Sequence, residues 1–153
     1  MMRPVVRFHR ERSTEPSIRT FLEIDVTRMQ YFSGAGDPAA VNPDAPELDQ
    51  TLMERPNRKD AFTELLFDYA SNVLLYPLWH DYLREHQPRT LIVWGRNDGF
   101  FPEAGARAYL TDLPDAELHL LDSGHFAATE RPNEVAALIR AFVSAAAGPS
   151  GQS

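Results

Sequence analysis

Asp98 and His125 are the two residues whose types and spacing can do chemistry together. Asp98 stands three residues past Gly95 in the segment WGRND, and His125 follows Gly124 in LLDSGHF. They lie 27 residues apart. An ionised aspartate that accepts a bond from one imidazole nitrogen fixes the tautomer of the ring. The other nitrogen is then free to take a proton as a general base. A blander reading of the same residues makes Asp98 the cap of the helix after it and His125 a polar turn residue.

Two strand–helix units must hold these residues. Residues 90–94, TLIVW, form an apolar run that stops at Gly95. Such a run reads as a strand buried on both faces of a parallel sheet. Pro102 opens a helix with Ala106, Tyr109, Leu110 and Leu113 on one face. Pro114-Asp115 turns the chain, and residues 116–121 read as a second strand. Pro132 starts the last helix, where Val135, Leu138, Ile139 and Phe142 form an apolar stripe. Strand, helix, strand, helix implies a parallel pair joined by a right-handed crossover. Ligands of open α/β sheets bind outside the carboxyl ends of the strands. Asp98 and His125 both fall there, with Gly95, Gly99 and Gly124 available for tight turns. Two parallel strands make too small a sheet to stand alone, so the pattern reads as the last part of a larger α/β protein.

Upstream the texture changes. Residues 17–32 carry Ile18, Phe21, Leu22 and Val26 at helical spacing. Residues 33–60 hold Pro38, Pro43, Pro46 and Pro56, and read as loop with a short helix from Pro46 to about Glu54. Asp60 suits the N-cap of a helix starting at Ala61, with Phe62, Leu65, Leu66 and Tyr69 on one stripe. A second helical stretch holds Leu75, Leu78, Trp79, Tyr82 and Leu83. Pro77 is expected near its first turn, because proline breaks a helix interior. Gln87-Pro88 ends it, and residues 148–153 read as a flexible tail.

Residues 89–147 resemble the C-terminal part of the α/β-hydrolase fold. The resemblance is carried by LIVWGRNDGFFPEAGARAYLTDLPDAELHLLDSGHFAATERPNEVAALIRAFV. In that family the G-x-x-D after the penultimate strand supplies the catalytic acid and the G-H after the last strand supplies the catalytic histidine. Those roles fall on Asp98 and His125. The segment LLFDYASNVLLYPLWHDYLREHQP is similar to the helix leading into the penultimate strand. MQYFSGAGDPAAVNPDAPELDQTLMERP is similar to part of the helical cap above the sheet. Its flavour is that of the capped branch with dehalogenases, epoxide hydrolases and related esterases. The fold class implied is α/β: an incomplete α/β-hydrolase with a helical partial cap followed by two βα units with parallel strands. The resemblance divides the chain into a partial cap (1–60), joining helices (61–87), core βαβα (88–147) and tail (148–153). Met29, Tyr31 and Phe32 would line a substrate pocket under the cap. Phe100 and Phe101 would exclude water beside Asp98. Plain packing is the simpler account of all these residues.

The departure from the family matters as much as the match. No G-x-[SD]-x-G elbow and no oxyanion-hole turn occur in the sequence. The chain therefore offers acid and base without a nucleophile. Ser123 is tied into the same turn as His125 and is poorly placed to serve. Ser71 and Thr63 read as helix residues. His119 reads as a sheet residue, His80 and His86 as surface residues, and His9 as part of a solvated basic segment. No H-x-x-x-H or carboxylate spacing suggests zinc.

Composition narrows the rest. Fifteen basic and 22 acidic residues give a net charge of −7 over 153 residues. That balance argues against general nucleic-acid binding and against docking on an anionic membrane. There is no cysteine, so thiolate chemistry is excluded. No run is long and apolar enough for a leader or a span, and the expectation is a cytoplasmic protein. Met1-Met2 followed by abrupt entry into cap-like sequence fits a misplaced start, with a natural short product or a fragment as the alternatives. No metal or organic cofactor is expected. Two functions are compatible with these features. One is part of a hydrolase that cleaves an ester, epoxide or carbon–halogen bond in a small molecule when complete. The other is a non-catalytic module that self-associates or binds a chain completing its sheet. A flavodoxin-like or nucleotide-binding domain is disfavoured, because no glycine-rich phosphate loop comes after either strand.

Overall fold

The computed structural model describes residues 15–147. The segment around His9 and the tail 148–153 lie outside the described residues. Four α-helices come first, α1 (Glu15–Thr20), α2 (Ile24–Phe32), α3 (Asp44–Met53) and α4 (Arg58–His86), with a short 3-10 turn at Pro38–Ala40. The second part runs β1 (Leu91–Gly95), α5 (Glu103–Asp112), β2 (Glu117–Leu121), α6 (Ala127–Glu130) and α7 (Pro132–Ala147). The architecture is α/β, with β1 and β2 parallel and Leu91 opposite Glu117 through Gly95 opposite Leu121.

Several expectations are corrected. The helix expected over 17–32 is two helices, broken at residues 21–23. Phe21 and Leu22 donate their amides to Ile18 and Arg19 three residues back, which tightens and closes the first helix. Leu22 thereby turns inward and is buried. The two stretches expected between 61 and 87 are one helix, α4, with Pro77 inside it. Proline removes a single backbone donor there, and the strong helix formers on both sides carry the helix across. Its N-cap is Asn57, in the left-handed region at φ 64°, and not Asp60. Asp60 sits in the first turn and accepts from Arg19 of α1 at 2.7 Å. Gln87 closes α4 with its amide on Leu83 O, as its place before Pro88 suggests.

Nor is β1 buried on both faces. Ile92 and Gly95 are buried, whereas Leu91, Val93 and Trp94 are half-buried. The sheet of the described residues has two strands, so part of each face lacks cover. The core is made of two small groups: Ile18, Leu22, Tyr31 and Val41 in the helical part, and Ile92, Ala106, Leu113 and Leu121 around the sheet. Burying each isoleucine, leucine or valine among them stabilises by roughly 1.5–3 kcal/mol.

Candidate active site

The parallel ladder continues past the ends of the strands, and this brings the two loops together. Arg96 N donates to Leu121 O at 2.9 Å, and Asn97 N donates to Ser123 O at 3.1 Å. Asn97 Nδ2 adds a bond to Asp122 Oδ1 at 2.9 Å. The approach is too close for a side chain at Gly95, where a Cβ would stand 2.0 Å from Gly124 O. Gly99 meets no such wall: its nearest contact would be Ser33 Oγ at 4.0 Å.

Asp98 is thus set opposite His125. One carboxylate oxygen, Oδ1, accepts from Phe100 N at 2.8 Å and Phe101 N at 2.9 Å. The other, Oδ2, accepts from His125 Nδ1 at 3.0 Å. The helix α5 is capped by Pro102 instead, so Asp98 is no helix cap. Its side chain is 5% exposed and that of His125 is 18% exposed. With the proton on Nδ1, Nε2 presents a lone pair, and no described residue bonds to it. This is the arrangement a general base requires.

Aromatic rings enclose the imidazole. Phe100 and Phe101 stand 5.2 and 5.3 Å from it between centroids, and Phe126 stands 4.9 Å away edge-on. Trp94 Nε1 donates to Phe101 O at 2.8 Å and holds that loop over β1. Tyr31 does not reach His125 directly. It packs on Phe126 at 4.3 Å and donates its hydroxyl to Asp49 at 2.5 Å. Burial first, and then Asp49, push the Tyr31 phenol up to about 12, so the hydroxyl remains a donor across the ordinary pH range. Phe32 is half-buried and makes no ring contact with His125, and Met29 is exposed. The geometry therefore gathers Asp98, His125, Phe100 and Phe101, puts Tyr31 one ring behind, and leaves Phe32 and Met29 aside. Phe126, Trp94 and Asn97 are members of this site that sequence reasoning does not single out. Only Phe126 carries a signal, as the neighbour of His125.

Ser123 is fully buried, and its Oγ has no partner among the described residues. His119 lies opposite Val93 in the sheet. His86 is exposed and stacks on Tyr82. His80 is exposed too, but its Nδ1 pairs with buried Asp112, whose second oxygen takes Arg84 at 2.6 Å. The surface reading of His80 holds, and the end of α5 brings it a buried carboxylate as a partner. No helix of the described residues is long and apolar enough to cross a membrane.

Comparison with known proteins gives the context. No family model matches the chain. The chain is 39% identical over 98 residues to an uncharacterized hydrolase of Saccharomyces cerevisiae, a match that covers 64% of this chain and 34% of that protein. It is 35% identical over 102 residues to a 2-hydroxy-6-oxononadienedioate/2-hydroxy-6-oxononatrienedioate hydrolase of Pseudomonas putida, covering 63% and 35% respectively. The Escherichia coli hydrolase of the same name is 32% identical over 91 residues, covering 59% and 32%. The matches thus span about a third of the length of these curated relatives. This chain is thus similar to hydrolases over one part of their length, and parallel strands that set an Asp and a His at their carboxyl ends agree with a C-terminal portion of the α/β-hydrolase fold.

Proposed function

We propose that the chain carries the acid–base half of a capped α/β-hydrolase active site. The reading rests above all on one observation: His125 Nδ1 donates to Asp98 Oδ2 at 3.0 Å while Nε2 stays unpaired among the described residues. In the complete site a nucleophile from outside this sequence attacks the substrate and forms a covalent intermediate. His125 Nε2 then takes a proton from water, and the hydroxide so formed attacks the intermediate and frees the nucleophile. Asp98 stabilises the imidazolium that results. No metal or organic cofactor enters this mechanism. On this reading residues 88–147 belong to the core, 1–60 to a partial cap and 61–87 to the join. Phe100, Phe101 and Phe126 shield the imidazole from bulk water.

The test starts from the intact mass of the native polypeptide in its source cells, against 17.3 kDa for this sequence. That native polypeptide is then assayed on esters, epoxides, haloalkanes and an oxo-dienedioate of the kind named for the bacterial relatives. His125→Ala is expected to lower kcat by about 10⁶-fold and Asp98→Ala by about 10⁴-fold, as loss of the corresponding triad members does. Turnover that survives His125→Ala unchanged sinks the proposal.

A second reading is a non-catalytic module that associates with another chain. It is favoured by Leu65, Leu74 and Leu78 of α4, which are 65%, 74% and 63% exposed. Under that reading both alanine variants keep their affinity for the partner.

A further inference from the structure

We infer that Glu130 is a positioning residue for His125, clamping the main chain that carries the imidazole to the loop of residues 33–36. The inference rests on the reading of His125 as the base. The carboxylate of Glu130 bridges two backbone amides. Oε1 accepts from Gly124 N at 2.8 Å, and Oε2 accepts from Gly36 N at 3.2 Å. Gly124 immediately precedes His125. Gly36 lies 94 positions from Glu130, beyond the end of α2.

A carboxylate that merely steadied the single turn of α6 would need only the bond to Gly124. The bond to Gly36 reaches out of the turn, and the packing shows why it can. A Cβ at Gly36 would stand 2.1 Å from Asp122 O, and one at Gly124 would stand 2.7 Å from Ser33 O. The two loops therefore meet backbone to backbone, close enough for one carboxylate to span both. Arg131 grips the same stretch from the next position, with Nε and Nη2 donating to Asp122 O at 3.1 and 3.0 Å.

The mechanical consequence concerns the ring. Asp98 holds Nδ1 and so limits rotation of the imidazole, but it does not hold the main chain at residues 124–125. A general base must stay within about 0.5 Å of its working position. Charge-assisted bonds to backbone amides are short and directional, and they supply that constraint. The carboxylate of Glu130 bonds to the amides of Gly124 and Gly36 and not to the imidazole, so its effect passes through the backbone.

The experiment is NMR of the full chain, wild type against Glu130→Ala, Glu130→Gln and Asp98→Asn. Two signals are read: the His125 Nδ1 proton, and hydrogen-exchange protection of the Gly36 and Gly124 amides. The His80 Nδ1 proton, bound to Asp112 across the molecule, reports whether the fold persists. With His80 retained, Glu130→Ala is expected to lose both amide protections and to lose or broaden the His125 signal. Glu130→Gln keeps one carbonyl acceptor and is expected to keep one protected amide, with a weakened His125 signal. An unchanged His125 signal beside lost amide protection overturns the inference, because the clamp would then not position the ring. If Glu130→Ala also erases the His80 signal, Glu130→Gln decides by the same comparison. Asp98→Asn separates the underlying reading: a His125 signal indifferent to it refutes the Asp–His pair whatever Glu130 does.

Discussion

Asp98 and Asp112 each bind a histidine Nδ1, and what the remaining oxygen touches tells the two pairs apart. At Asp98 that oxygen takes two amides of its own loop, so the pair stands in a turn beside an open Nε2. At Asp112 it takes Arg84, and the pair joins α4 to the end of α5. His80 and then Arg84 hold the Asp112 carboxyl below its ordinary value, against the opposing effect of burial. A depressed carboxyl contributes stability above its unfolded value, near 4, and that contribution is lost as pH falls through the folded value. Thermal melts between pH 2 and 7 should therefore show a steep loss of Tm below about pH 4 in the wild type. Asp112→Asn should melt lower than wild type at pH 7, and the two curves should converge at pH 2. Parallel curves across the whole range would remove Asp112 from the account.

At the scale of elements, α4 is the instructive case. Its sequence holds a proline where two helices are expected, and the structure runs through it for 29 residues. One missing donor, at Pro77, leaves the Val73 carbonyl without its helical partner. Bonds on both sides outweigh that loss, because helix propagation adds one bond for each further residue fixed. Replacing Pro77 by Ala restores the donor, worth up to about 3 kcal/mol in helix propensity. The replacement also frees the unfolded chain, which offsets about 0.4–1 kcal/mol. Pro77 is exposed, so little packing is lost. The net expectation is a gain of about 1–2 kcal/mol, read as a higher urea midpoint at constant slope. A lower midpoint would mean that the proline supports a bend the rest of the fold needs.

At the scale of the whole molecule, apolar surface outweighs core. Leu65, Leu74, Leu78, Trp79 and Tyr82 of α4 are all exposed, and so are Ile139 and Val143 of α7. Each of β1 and β2 has one edge unpaired among the described residues. Exposed apolar patches and open strand edges are both invitations to association. Sedimentation velocity of the chain at micromolar concentration should therefore show species well above 17.3 kDa that dissociate on dilution. The double variant Leu74→Glu with Leu78→Glu should weaken that association at least about tenfold, or ~1.4 kcal/mol. A monomer with a sharp, concentration-independent melt would refute this account.

Asp98 and His125 are legible in the sequence because the signals that place them are local. An apolar run that stops at a glycine marks the end of a strand, and a proline marks the start of the next helix. Two such units in succession imply parallel strands, and parallel strands put both residues at one end of the sheet. The resemblance to hydrolases rests on those same residues. Local signals fail where a break or a bond depends on something distant. The break at Leu22 is held by Gln50, whose Nε2 donates to Leu22 O from 28 positions away, and Asp112 finds His80 only because α5 packs on α4. The stack from Tyr31 through Phe126 to His125 and the reach of Glu130 to Gly36 leave no periodicity to read. They exist because two loops far apart in the chain pack with their backbones in contact, and such a contact is settled by the packing of whole elements.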